Sequence, residues 1–142
     1  MNLGKKKILI FIISYKASFR ILNVYNKIPF KNLGKYDVKI LLSDDNSNDN
    51  TMEFAANIKK KRKNIFLNEN KKNIGYGAHI KKCLNFALTK KFDYAVMIHG
   101  DGQYDPIYIP SLIKKFSNNK NISAVTGSRI LRGIKNVYQG GM

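Results

Sequence analysis

Cysteine occurs once in 142 residues, at Cys83, which excludes an internal disulfide and fits a reducing compartment. Acidic residues are scarce as well: 9 Asp and Glu stand against 26 Lys and Arg, a formal charge of +17 at pH 7. Such a surplus draws phosphates, anionic lipid and nucleic acid alike, so charge alone names no partner. Aromatic side chains are missing from the largest basic clusters, Lys59-Lys60-Lys61-Arg62-Lys63 and Lys71-Lys72, and no nucleic-acid motif accompanies them. Nucleic acid is therefore the least favoured partner, behind a plain solvated face and an anionic membrane surface. No apolar run approaches the ~18 residues that a bilayer span requires. Lys5-Lys6-Lys7 before Ile8 to Ile13 imitates a signal peptide, but no small-residue cleavage site follows, and Lys16 and Arg20 come too early. The stretch reads instead as a first buried strand.

What is present is ordinary globular material. A hydrophobic share of 44% excludes disorder despite the charge, and the length suits about one domain with a real core. Ile8 to Ile13 is β-branched and unbroken, as in a central parallel strand covered on both faces. A helix capped by Ser18, with Phe19, Leu22, Tyr25 and Asn26 on its inner positions, ends before Pro29. Val38 to Leu42 is a second strand, and Asn50 with Glu53 forms a capping box for a helix from about Thr51 to Lys61, with Phe54, Ala55 and Ile58 inward. Ile65 to Leu67 is a short third strand. Ile80, Cys83, Leu84, Ala87 and Leu88 then repeat at helical spacing, which puts Cys83 in the core as an inert thiol. Tyr94 to Ile98 reads as a fourth, buried strand, Pro110 to Phe116 as a helix and Ala124 to Thr126 as a last short strand. Alternating strands and helices predict an α/β fold with a doubly wound, mostly parallel sheet.

The chemistry collects in the loops that follow the strands, where open α/β sheets bind ligands. His99-Gly100-Asp101-Gly102-Gln103-Tyr104-Asp105-Pro106 opens directly from the fourth strand. Asp101 lies between two glycines, so backbone can approach a ligand and the carboxylate can project. It is the best candidate for a divalent ion on a diphosphate, with His99 either a second ligand, favouring Mn²⁺ over Mg²⁺, or a histidine satisfied at a strand end. Asp44 and Asp45 end the second strand; Asp44 reads as a brace for the turn and Asp45 as a carboxylate for a ribose hydroxyl or base N–H. Asn73-Ile74-Gly75-Tyr76-Gly77-Ala78 offers backbone N–H groups at a helix start, either to an anion or simply as a small-residue helix entry. His79 has no partner visible in the sequence and reads as structural.

These stretches together resemble the family two glycosyltransferases, in particular the branch of polyprenyl-phosphate (dolichol-phosphate) mannosyl and glucosyl transferases. Asp44-Asp45-Asn46-Ser47-Asn48-Asp49-Asn50-Thr51 is similar to that family's Asp-Asp-Gly-Ser-x-Asp-x-Thr loop. Asn73, Gly75, Gly77 and Ala78 match its Asn-x-Gly-x-Gly-Ala element, and Gly127-Ser128-Arg129 its Gly-Ser-Arg. Ile12 to Ala17 stands where the family has Pro-Thr-Tyr-Asn-Glu, with Tyr15 matching and Ser14 conservative. The Asp-x-Asp metal motif appears as His99-Gly100-Asp101, so its first carboxylate is absent.

The resemblance implies a glycosyltransferase A-type, Rossmann-like nucleotide-sugar-binding fold over residues 1–142 as a single domain. It implies a UDP- or GDP-hexose donor held by Ile13, Ser14, Tyr15, Asp45, Asn73, Gly75, Gly77, Gly100 and Asp101, with a divalent Mg or Mn ion on Asp101 and His99. It further implies inverting transfer served by Asp101, Gln103 and Arg129, the last positioning a polyprenyl phosphate, with Arg132 beside it, or else a glycan acceptor. Lipid-linked sugar or polysaccharide synthesis, in the cytoplasm or at the cytoplasmic face of a membrane, is the setting expected. The chain stops at Met142 where the family continues into acceptor-site sequence, so that part is expected to be missing. A nucleotide-sugar-binding fragment without turnover is the first rival, and a basic nucleic-acid-binding domain the second.

Overall fold

A computed structural model describes residues 4–128. Four strands form one parallel sheet: β1 (Lys7–Ser14), β2 (Asp37–Asp44), β3 (Ile65–Glu69) and β4 (Tyr94–His99). Their order is β3-β2-β1-β4, with β1 paired on one side to β2 and on the other to β4. From Ile8 to Ser14 every residue of β1 is buried, which matches its unbroken apolar sequence and its place inside the sheet. Side chains alternate across the sheet. Leu9, Phe11 and Ile13 therefore share one face, where with Leu41 they pack on Cys83 and Ala87 of α3 (Tyr76–Thr89). Ile8, Ile10 and Ile12 occupy the other, the side of α1 (Arg20–Asn26) and α2 (Thr51–Lys61), which also pack on each other. Fully burying one such side chain contributes about 1.5–3 kcal/mol.

The winding follows from this order. The chain steps outward from β1 to β2 to β3, then crosses back over β2 and β1 to β4, so α3 lies on the face opposite α1 and α2. The expected doubly wound α/β sheet is thus observed. Its direction reverses between β1 and β4, and there the carboxyl ends of neighbouring strands diverge into a crevice.

Several expectations need correction. β4 is an edge strand among the described residues, with Ala95 and Met97 exposed, rather than a strand buried throughout. Helix α1 buries Ile21, Val24 and Tyr25, whereas Phe19 is exposed. Lys16 and Ser18 take left-handed backbone (φ 53° and 47°), which delays the helix to Arg20 and rotates its inner face. Ser18 caps nothing in α1; its hydroxyl donates to Asp49. Asn50 makes no side-chain cap for α2 either, because Asp49 accepts the Thr51 N–H instead. In α3, Cys83 and Ala87 are buried in the core as expected and Ile80 packs against it, but Leu84 and Leu88 are exposed and His79 is buried in addition. Ala124 to Thr126 forms no strand.

Contacts divide the chain into two compact units, up to Ile107 and from Tyr108 onward. The second carries α4 (Ile109–Ser117), with Pro110 in its first turn and Ile109 and Ile113 buried. Among the described residues no helix is long and apolar enough to cross a membrane.

Candidate nucleotide-sugar site

The crevice between β1 and β4 holds a cavity of about 250 Å³. Ile13, Ser14, Tyr15, Asp45, Asn73, Gly75, His99, Gly100 and Asp101 line it, so nine residues singled out by sequence and scattered over 89 positions converge. Tyr76 and His79 complete the lining. Gly77 does not line it and sits in the first turn of α3. Gln103 does not line it either; its backbone N–H donates to Asp101 Oδ1 at 3.0 Å. Arg129 and Arg132 lie outside the described residues.

The loop after β2 is a set of cross-braces. The Asp44 carboxylate accepts the Ser47 N–H at 2.6 Å and the Ser47 hydroxyl at 2.7 Å, bracing the turn. Asn46 holds φ 61° there, a left-handed position that asparagine tolerates better than most residues. Ser47 Oγ accepts the Lys16 N–H at 2.7 Å, and Thr51 Oγ1 accepts those of Ala17 and Ser18 at 3.0 and 2.8 Å. Ser47, Asp49 and Thr51 therefore fix the loop that follows β1. Sequence reasoning matched these three residues to a motif without assigning them any role.

Asp45 turns the other way. Its carboxylate accepts the Asn70 side-chain amide at 2.8 Å, the Ile74 N–H at 2.9 Å and the Gly75 N–H at 3.0 Å. Burial alone would raise its pKa, but these bonds, Ile74 foremost, outweigh it and hold the group below the ordinary carboxylate value. The N–H groups of the Asn73 to Ala78 element do hold an anion, and that anion is Asp45 itself. Gly75 has φ +81°, a conformation a side chain would strain. Three bonds leave one of the roughly four lone-pair sites of a carboxylate for a ligand.

His79 was missed because its partner lies 36 residues away: its Nε2 is 2.7 Å from Ser43 Oγ, which also accepts the Asn68 amide. Burial pushes the imidazole pKa down; the charges of Asp45 and Asp44 oppose that, and Lys82 adds to it. Asn70, likewise buried, joins this floor of the cavity to Lys82 through its side-chain oxygen.

On the β4 side, Gly100 donates its N–H to Ile13 O at 2.8 Å, and a methyl group added to it would overlap Ser14 Oγ. Ser14 Oγ is buried with no hydrogen-bond partner among the described residues, a donor left over at the cavity floor. The His99 ring stands edge-on to Tyr76 and Tyr104, with centroids at 5.4 and 4.8 Å, and its Nε2 is 3.2 Å from Tyr76 Oη. Among the described residues no three His, Cys, Asp or Glu side chains converge as a metal cage.

Comparison with known proteins gives this geometry a family. The sequence profile of glycosyl transferase family 2 matches residues 10–139. An uncharacterized protein of Methanocaldococcus jannaschii is 41% identical over 101 residues, which are 70% of this chain and 44% of that protein. The mannosyltransferase PcManGT from Pyrobaculum calidifontis, solved in complex with GDP-Man and Mn²⁺, superposes with a TM-score of 0.72 at 14% identity, over 94% of this chain and 39% of its own. S. aureus TarS 1-349 superposes at 0.56 and 17% identity, over 86% and 39%. The chain thus spans less than half the length of each of these proteins.

Proposed function

Because the chain belongs to glycosyl transferase family 2, we propose that it binds a UDP- or GDP-hexose in the β1–β4 crevice and serves inverting transfer of the hexose to a polyprenyl phosphate or a glycan. The observation that carries this reading is the convergence of Ser14 at the end of β1 with Asp45, Gly75 and Asp101 from three separate loops on one cavity at the reversal point of the sheet. A chain of the same fold seen with GDP-Man and Mn²⁺ supports a nucleoside-diphosphate hexose as donor and a divalent cation as cofactor.

In this reading Asp45 fixes the wall against which the base lies and offers it the remaining lone pair. The Ser14 hydroxyl gains the partner it lacks. Asp101 supplies a hard oxygen donor that, among the described residues, accepts one short-range bond from the Gln103 N–H, which fits a Mg²⁺ or Mn²⁺ ion held by one carboxylate and the donor's phosphates. Such an ion would stabilise the departing diphosphate. Ligation through His99 Nε2 would replace its contact with Tyr76 Oη. Arg129, with the Gly-Ser-Arg element, is assigned to the acceptor by resemblance. The surplus of positive charge supports a place at the cytoplasmic face of an anionic membrane.

Calorimetric titration of UDP and GDP with and without Mn²⁺ tests the donor half, and transfer of radiolabelled hexose by this chain tests turnover. Tight binding of one nucleotide only in the presence of the ion is the expected result. Binding without transfer would leave the chain a donor-binding fragment. Nucleic acid bound more tightly than either nucleotide, with a steep loss in salt, would replace the reading altogether.

A further inference from the structure

The two ends of the sheet differ in charge. All four strands run parallel, so the segments that enter them lie together at one end and the segments that leave them, with the crevice, at the other. Residues 4–7, 34–37, 59–64 and 90–93, which enter, hold eleven Lys and Arg against Asp37 and Asp93. Residues 14–20, 44–53, 69–77 and 99–107, which leave, hold four Lys and Arg against seven Asp and Glu. A lysine-rich composition raises both ends alike and does not sort acids from bases. All eleven cations of the entering end are exposed, and none makes an ion pair among the described residues, where the one pair is Lys39 with Asp37. Tyr36 and Tyr94 meet edge-on at this end with centroids 6.3 Å apart. Lys35 Nζ stands 5.1 Å from the Tyr36 ring and Lys6 Nζ 5.0 Å from that of Tyr94. The last turn of α3 adds Leu88, which is 75% exposed.

We infer that the entering end docks on an anionic lipid surface and so turns the crevice away from the bilayer. Ten of the eleven cations are lysines, point charges that suit a fluid field of headgroups better than the forked guanidinium that grips one fixed phosphate. Tyrosine set among lysines, with an exposed leucine near by in the chain, is the composition of a membrane–water boundary. Nucleic acid fits less well, because a lysine already stands over each tyrosine ring where a base would stack. The attraction of such a surface fades within a Debye length of about 8–10 Å. A strand of eight residues such as β1 spans about 26 Å, which holds the crevice beyond that range. A phosphate at headgroup level in the same leaflet does not reach a crevice so placed, and the orientation therefore selects the glycan of the two acceptors. Only this choice of acceptor rests on the glycosyl-transfer reading; the docking face stands on the charge pattern.

The test floats the whole chain with vesicles of phosphatidylcholine alone and of equal parts phosphatidylcholine and phosphatidylglycerol, with duplex RNA titrated in parallel. Binding is expected to the mixed vesicles only, and to weaken as salt rises. Lys60→Gln with Lys61→Gln, and Lys90→Gln with Lys91→Gln, should each lower vesicle affinity by about ten- to thirtyfold, at roughly fivefold per lysine. Lys71→Gln with Lys72→Gln, the same loss of charge at the crevice end, should change it by less than about threefold. All six lysines are exposed, and an unchanged melting temperature identifies the folded variants. If one pair at the entering end fails to fold, the other carries the comparison. Equal losses from the three pairs would mean that net charge rather than a face draws the chain, and would overturn the inference. No binding to the mixed vesicles, or RNA bound more tightly than they are, overturns it as well. Absence of nucleotide binding in the parent chain removes the glycosyl-transfer reading and the choice of acceptor, while pole-specific vesicle binding still upholds the docking face.

Discussion

The loops after β2 and β4 each bring a carboxylate to the same cavity, by opposite means. Asp44 and Asp45 are buried and spend their oxygens on Ser47, Asn70, Ile74 and Gly75, tying their loop to the helix entry of α3. Asp101 accepts one N–H from Gln103 two residues on, and Asp105 one from Ile107, so the loop after β4 is held by its own short turns. The first loop is a wall and the second a presenting arm. Two aspartates of equal prominence in the sequence thus divide into one that stabilises the site and one left open to a ligand.

Exchange of the two carboxylates tests this division most severely. Asp101→Asn is expected to abolish the metal dependence of nucleotide binding, a loss of about a hundredfold or more, because the carboxylate proposed to hold the cation becomes a neutral amide. Its melting temperature should stay within roughly 2 °C of the parent, as a surface change away from packing allows. Metal-dependent binding that survives in this variant would remove Asp101 as the anchor.

Asp45→Ala should do the reverse, losing roughly 3 kcal/mol of stability with its three bonds and weakening the nucleotide by about 1.5–3 kcal/mol as the wall loosens. Urea unfolding and calorimetry separate the two effects. The depressed pKa of Asp45 adds a pH signature. The unfolded carboxyl titrates near 3.8 and the folded one below it, so the stabilisation is complete above 3.8 and disappears as pH falls through the folded value. An acid limb of the stability profile identical in parent and variant would show that Asp45 is not the brace described.

Gly100 tests the seam between β1 and β4. Gly100→Ala sets a methyl group against Ser14 Oγ and is expected to cost about 1–3 kcal/mol by overpacking. Ser14→Ala removes the overlapping atom and should recover part of that loss. Additive losses in the double variant would mean that the two residues do not press on each other.

Much of this was legible in the sequence because it is local. The run from Ile8 to Ile13, the turn residues around Asp44 and the glycines flanking Asp101 each declare their conformation within a few positions, and strand order then puts three loops at one sheet edge. The roles of Ser47, Asp49 and Thr51 were not legible, since each bonds to residues 16–18, about thirty positions earlier. Nor was the face of α1, because left-handed Lys16 and Ser18 obey those same distant bonds rather than any preference of their own. Leu84 and Leu88 misled for the opposite reason: α3 has apolar residues on more than one side, and its crossing of the sheet selects which are covered.

His79 offers the smallest effect and the finest distinction between wall and arm, because it lies under the first loop and is bonded to Ser43. Its imidazole is buried against Ser43, with Asp44, Asp45 and Lys82 as the charges acting on it, and burial prevails to lower its pKa from 6.5. A histidine that resists protonation when folded binds fewer protons than the unfolded chain below that value. Stability should therefore be greatest above pH 6.5 and decline as pH falls from there towards the folded pKa, before Asp45 begins to titrate. His79→Asn should flatten the profile over that interval, at a cost of about 1 kcal/mol near pH 8 for the altered bond to Ser43. Nucleotide affinity at pH 8 should move far less than in Asp45→Ala. A slope just below pH 6.5 that persists in His79→Asn would assign it to other groups and detach His79 from the wall.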